Sequence, residues 1–448
     1  MERAGNEPVY EEIVLELACL IVAPLSVFAI LLCLASAFGV INHRLLHLPS
    51  SIGVITVALL ASLCILGLDA TLPGLELGTR TQQVLGTQAL PQTLLNGALS
   101  FLLFAGALNV DMAALWRRKL TVLLLATLGV VIATVGFGVG IWLVFALLEA
   151  TVPATWCLVL GAVLAPTDPI AISEMVGRVG LPKTLQATLA GESLFNDGVG
   201  VVIFTAVAAL AANGGRSAPG MFALDFAREA LGGIVLGTTT GWLAYLMMRS
   251  IDEYPLEIMI SLGLATGTYA VASALGTSGP IAVVAAGLLI GNRGTRHAMS
   301  ETTRTNLKLF WSVIDELLNA LLFLLLGFEV LGVTFSGHAI VAAAVAIPLA
   351  LIVRAASVVA PIYWLHAHNP QRWRGFAILT WGGLRGGISV ALALSLPPTP
   401  WRSDILVVCY TVVVFTILVQ GLTMERAITR MYPQIREAPK RDSSQKGN

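Results

Sequence analysis

The chain has 448 residues, 56% of them hydrophobic and 12% charged, with a formal net charge of zero. A soluble globular domain carries about 25% charged residues. A mean hydropathy of +0.84 therefore excludes a soluble enzyme or a nucleic-acid-binding module and puts most of the chain in lipid, while zero net charge implies no strongly acidic or basic partner.

The N-terminus, MERAGNEPVYEEI, is acidic, and the apolar stretch from about Ile13 to Ile41 is longer than a signal-peptide core, so it reads as a retained first helix. Thirteen apolar segments follow one another, each judged against the roughly 20 residues needed to cross a bilayer. They lie near 14–38, 48–68, 94–111, 119–147, 154–176, 184–212, 222–248, 256–275, 279–292, 308–332, 338–365, 373–396 and 403–426. The ninth is short enough to be re-entrant or tilted. The polar run NRGTRHAMSETTRTNLK at 292–308 reads as a loop, and the tail at 431–448 as a short disordered cytoplasmic end. No soluble domain is visible. Forty-three glycines suit close helix packing in lipid. Cys19, Cys33, Cys64, Cys157 and Cys409 all lie in apolar stretches without a C-x-x-C pair, which reads as small buried hydrophobes, not disulfides or metal ligands.

Lys and Arg set the orientation. With the N-terminus outside, nineteen basic residues fall in inside loops and the tail and five fall outside. The remaining two, Arg354 and Arg385, lie within apolar segments.

A charge at the centre of a spanning helix costs about 2.5–3.5 kcal/mol on insertion scales. Glu16, Asp111, Glu174, Asp315, Glu316 and Glu329 lie towards segment ends and read as interfacial. Asp168, Glu192 and Asp197 are deeper. Asp168 and Thr167 are flanked by Pro166 and Pro169; each proline removes a backbone donor, and broken backbone at membrane depth survives only around protein or a wet cavity. In LAGESLFNDGVG, Ser193 and Asp197 are four apart and share a face, offering a hydroxyl and a carboxylate to a small cation. Glu192 and Asn196 share a face rotated by about 100°. Two carboxylates so close need a counter-charge. Arg354 is the available cation, so Glu192–Arg354 reads as a structural ion pair and Asp197 as the titratable site.

A second interruption is TWGGLRGGISVALAL, where four glycines surround Arg385. On the residues alone, two readings stand side by side: small-residue packing with a snorkelling arginine, or a second broken helix. The two interruptions are seven segments apart, the odd spacing expected of two six-helix inverted repeats joined by one extra helix.

The runs A-P-T-D-P at 165–169, G-E-S-L-F-N-D-G at 191–198 and G-G-L-R-G-G-I-S-V-A-L-A-L at 382–394 resemble the cation:proton antiporter-1 family, which holds the NhaP-type sodium/proton antiporters and the eukaryotic sodium/proton exchangers. The resemblance covers nearly the whole chain. It implies an all-α homodimer in the cell membrane, each protomer with a core (about 119–212 and 338–426) and an interface unit (about 14–111 and 222–332), and crossed unwound fifth and twelfth helices at the ion site. It implies that Asp197 binds cation or proton in turn, that Ser193 and the Thr167 carbonyl are cation ligands, and that Asp168 offsets half-helix dipoles. Asn196 would mark the electroneutral branch, Glu192 and Arg354 the buried ion pair, and Arg385 the second unwound helix. Some archaeal relatives carry a glutamate on the third helix; LLNGALSFLLFAGALNV has no acid before Asp111. The long tail of the eukaryotic exchangers is absent, which favours a prokaryotic protein.

The expectation is a secondary antiporter exchanging Na⁺, or Li⁺, for H⁺ one to one, with no cofactor and with membrane lipid and a second copy of the chain as its partners. A K⁺/H⁺ antiporter is the nearest alternative, ahead of an electrogenic carrier or channel. A hydrolase using Gly191-Glu192-Ser193 is disfavoured, because a serine nucleophile needs a base and all six histidines lie in loops or at segment ends.

Overall fold

In lipid, only helices and closed barrels satisfy their own backbone, and a chain with this many long apolar runs takes the first route. The computed structural model describes residues 24–72, 78, 81, 89–168, 181–214, 219–295, 298–332, 336–363, 365 and 372–432, and these contain no strand. Every expected segment meets a helix: α1 (Pro24–Ile41), α2 (Ser50–Thr71), α3 (Ala89–Leu108), α5 (Lys119–Leu147), α6 (Ala154–Leu164), α7 (Lys183–Ala212), α8 (Pro219–Arg249), α9 (Tyr254–Ala274), α10 (Gly279–Gly294), α11 (Glu301–Glu329), α12 (Gly337–Ile362), the pair α13 (Arg372–Trp381) and α14 (Gly387–Leu394), and α15 (Arg402–Met431). A short helix α4 (Met112–Arg117) lies between α3 and α5. Among the described residues nine helices are long and apolar enough to cross a membrane, and three shorter apolar ones accompany them.

The ninth segment is short as expected, a continuous helix, α10, that ends in a π-helical turn at Ile290–Gly294. Several expectations change. The stretch 292–308 is mostly not loop, because α11 starts at Glu301, where the Ser300 hydroxyl accepts from the Thr303 N–H at 3.3 Å. Asp111 does not merely reach the interface: its carboxylate caps α4, accepting from the Ala113 N–H at 2.9 Å. Of the cysteines, Cys157 and Cys409 are buried, but Cys33 and Cys64 are exposed on the outer surface. Glu16, Cys19 and Glu174 lie outside the described residues.

Packing sorts the helices into two groups. Helices α5–α7 and α12–α15 share one core that includes Phe137, Leu160, Val163, Val358, Val408 and Val412. The remainder pack around Phe104, Trp311, Ala265 and Val284 where α3 and α9–α11 meet, and around Leu31, Val54, Leu324 and Phe328 where α1, α2 and α11 meet. A small apolar cluster, Leu102, Leu318, Leu322 and Ala391, bridges the groups.

The first group contains both interruptions. Pro166 has no N–H with which to continue α6, and Asp168, ahead of Pro169, is biased to extended backbone; α6 stops at Leu164 and residues 166–168 are non-helical. In the twelfth segment, α13 ends at Trp381 and α14 starts at Gly387, leaving 383–386 non-helical. The two breaks touch, for the Asp168 N–H donates to the Leu384 carbonyl at 2.8 Å. The fold is thus all-α with discontinuous helices crossing at membrane depth.

Candidate functional site

Among the described residues the two breaks expose three helix ends, those of α6, α13 and α14, and each end carries orphan backbone groups and part of a macrodipole. Two opposite charges answer two of them. The Arg385 guanidinium donates through Nη1 to the carbonyls of Ala165 at 2.7 Å and Pro166 at 3.0 Å, placing a cation on the negative end of α6. The Asp168 side chain lies against Gly386, the N-cap of α14, so closely that a Cβ there would overlap its carboxylate. An anion on the positive end of α14 is the complementary arrangement. Arg385 is 4% exposed, which rules out the snorkelling reading and makes it a cross-link between the breaks.

The last helix supports this crossing. A π-helical turn at Thr416–Gly421 interrupts α15; such turns recur at functional sites. From it the Thr416 hydroxyl accepts from the Arg385 N–H at 3.2 Å, and the Gln420 amide donates to the Trp381 carbonyl at 3.1 Å. Backbone groups freed by the break thereby find side-chain partners.

On α7 the predicted spacing sends its polar residues to different neighbours. Glu192, 1% exposed, accepts from Arg354 Nη1 at 2.6 Å, and Arg354 Nη2 also donates to the Leu379 carbonyl at 2.9 Å. The ion pair therefore ties α7, α12 and α13 together. Asn196 turns to the end of α6, where its amide donates to the Thr167 hydroxyl at 2.7 Å and its carbonyl faces the Thr167 N–H at 3.4 Å. The hydroxyls of Thr167 and Ser193 lie 3.4 Å apart.

Asp197 is 7% exposed. Among the described residues no hydrogen bond or ion pair reaches its carboxylate. It lines a cavity of about 270 Å³ between the two helix groups. Asp168 lines the same cavity, as do Asp315 and Asn319 of α11 and Asn109, just past the end of α3; the rest of the wall is apolar apart from backbone. The space runs from the crossing towards the last turn of α3 and the first half of α7. Ser193 and Thr167 are both buried, each next in the chain to a residue of this wall, Leu194 and Asp168.

Sequence reasoning missed Asp315. Its distance along the chain from Lys308 suggested an interfacial carboxylate, but α11 starts earlier than the apolar run and carries Asp315 to mid-helix. The available signal was its pairing with Asn319, four residues on and on the same face; the Asn319 amide donates to the Asp315 carbonyl at 2.8 Å and carboxylate at 3.2 Å.

A deep carboxylate on a cavity beside crossed, charge-compensated helix breaks is the arrangement of an ion-coupled secondary transporter. Comparison with known proteins agrees. The sequence pattern of the family described as "Sodium/hydrogen exchanger, transmembrane" matches residues 27–429, and the chain belongs to that family. It is 42% identical to the Na⁺/H⁺ antiporter NhaP of Pseudomonas aeruginosa over 91% of this chain and 97% of that protein. It is 32% identical to the Na⁺/H⁺ antiporter NhaH of Halobacillus dabanensis over 90% and 97%. In fold it is similar to the sodium proton antiporter MjNhaP1 of Methanocaldococcus jannaschii, with a TM-score of 0.71 and 19% identity, covering 91% of this chain and 98% of that one.

Proposed function

We propose that this protein exchanges Na⁺ for H⁺, one for one, with Asp197 as the shared binding group. The observation that carries the reading is the division of labour among the deep carboxylates. Glu192 is neutralised by Arg354 and Asp168 faces a helix end, whereas Asp197 lines the cavity with no described partner. Its neighbour Asn196 is a neutral amide committed to Thr167. Of Asp168, Glu192 and Asp197, that leaves Asp197 to be discharged, either by a proton or by a monovalent cation. The names of the relatives support Na⁺ as the cation.

Coupling follows from electrostatics. A carboxylate holding a proton or Na⁺ is neutral and can pass the apolar cluster between the helix groups. Empty, it meets a penalty of about 2.5–3.5 kcal/mol, which slows the uncoupled step by roughly two orders of magnitude. Since Na⁺ binds only as the proton leaves, no net charge moves per cycle. The excess of Lys and Arg on one side supports a cytoplasmic C-terminus, so the cavity seen here would open to the cytoplasm. We also propose that the protein works as a homodimer in the cell membrane.

In proteoliposomes with an imposed pH gradient, wild-type protein is expected to dissipate the gradient on adding Na⁺, and Asp197→Asn to abolish the response while remaining folded. Sodium-dependent proton flux through Asp197→Asn would overturn the assignment.

A further inference from the structure

The reading above leaves Asp315 unused, and its position asks for a role. It lies in the middle of α11, on the helix group opposite Asp197, and lines the same cavity. Three carboxylates, Asp168, Asp197 and Asp315, thus face one space, and the described wall has no basic side chain. A cleft of one sign with low-dielectric walls focuses its field and concentrates counter-ions, raising on-rates by about 10–10³-fold. Across the space from Asp315, the end of α3 and the turn after it contribute apolar residues and the Asn109 amide but no acid. Asn319 holds Asp315 in place, bonding its carbonyl and carboxylate with one amide.

We propose that Asp315 is a cation-recruiting residue: it draws Na⁺ into this cavity and delivers it to Asp197 across the gap between the two helix groups. The inference rests on Asp197 being the exchange site. It adds a sidedness, because Asp315 belongs to the helices packed with α2 and α3, and Asp197 to those packed around α6 and α12. When the two groups shift and the site faces the other side, Asp197 leaves the cavity that Asp315 lines. Asp315 therefore serves entry only from the side on which this cavity opens.

The test is Na⁺-dependent exchange measured from each face, in right-side-out and inside-out vesicles, with KM and maximal rate obtained separately. Asp315→Asn is expected to raise the KM for Na⁺ about tenfold on the cavity side, to leave the KM on the opposite side within twofold, and to leave the maximal rate at saturating Na⁺ unchanged. Asp315→Glu is expected to restore the KM. A merely structural role would lower the maximal rate or move both sides together, and either result overturns the proposal, as does an unchanged KM. Should Asp315→Asn not fold, Asn109→Lys puts a positive charge on the same cavity without touching α11; it is expected to raise the same one-sided KM, and an unchanged value is equally fatal. Asp197→Asn run in parallel separates the two readings. Exchange surviving in Asp197→Asn defeats the assignment of Asp197, whereas a dead Asp197→Asn beside an Asp315→Asn of wild-type KM defeats only the recruiting role.

Discussion

The Arg354 guanidinium is divided between the Glu192 carboxylate and the Leu379 carbonyl, both buried, so its loss would leave an anion and a carbonyl without a donor. Removing one partner of a buried pair costs about 3–5 kcal/mol. Arg354→Ala is expected to lower the melting temperature in detergent sharply, and Glu192→Gln to do so to a similar degree. Asp197→Asn, which removes a buried charge and no bond, is expected to leave melting unchanged or raise it. Thermal unfolding followed by tryptophan fluorescence compares the three, and an equal fall in all of them would contradict the structural role of the pair. The pairing was legible beforehand because two deep charges of opposite sign had few other neighbours to choose from. Asp315 was not, because a charge near a segment end and one on an internal cavity look alike until the start of the helix is known.

At the scale of elements, the two breaks compensate each other. Arg385 answers the Ala165 and Pro166 carbonyls beyond the end of α6, and Asp168 answers the end that the glycines open. This arrangement tolerates no extra atom at Gly386, where a Cβ would overlap the Asp168 carboxylate. Gly386→Ala must displace either Asp168 or α14, and overpacking of this kind costs about 1–3 kcal/mol. It is expected to lose exchange and some stability together. Gly375→Ala is the control: nothing lies within 4 Å of a Cβ there, and Ala is favoured over Gly inside a helix by roughly 0.5–1 kcal/mol. Exchange assays and melting curves on the two variants check this, and a fully active Gly386→Ala would show that the contact is dispensable. Proline and glycine mark where a helix stops, so the breaks could be located from composition. Which carbonyls Arg385 reaches could not, because that depends on how two segments over 200 residues apart cross.

For the whole molecule, the proposed reading makes exchange a competition within the cavity between the two helix groups. With Asp197 as the proposed shared site, lowering the pH on the cation side is expected to raise the KM for Na⁺ and leave the maximal rate at saturating Na⁺ unaltered. Counting one ion against the other, the cycle should carry no current. Radioactive sodium uptake over a pH series, alongside recordings on supported membranes, tests both points; a falling maximal rate at constant KM, or a steady current set by Na⁺, would count against a single shared site.

Apolar runs and the placement of Lys and Arg were enough to define a helical membrane protein with thirteen segments, because the solvation cost of backbone and charge in lipid is large and acts segment by segment. Residue spacing was enough to separate Glu192 from Asp197, since a helix assigns its faces by arithmetic. Only the tertiary structure decided that Asn196 bonds Thr167, that Arg385 bridges the two breaks, and that Asp315 shares the cavity with Asp197. Each of these depends on how separate helices cross, and a crossing is settled by packing of distant side chains that no local pattern encodes.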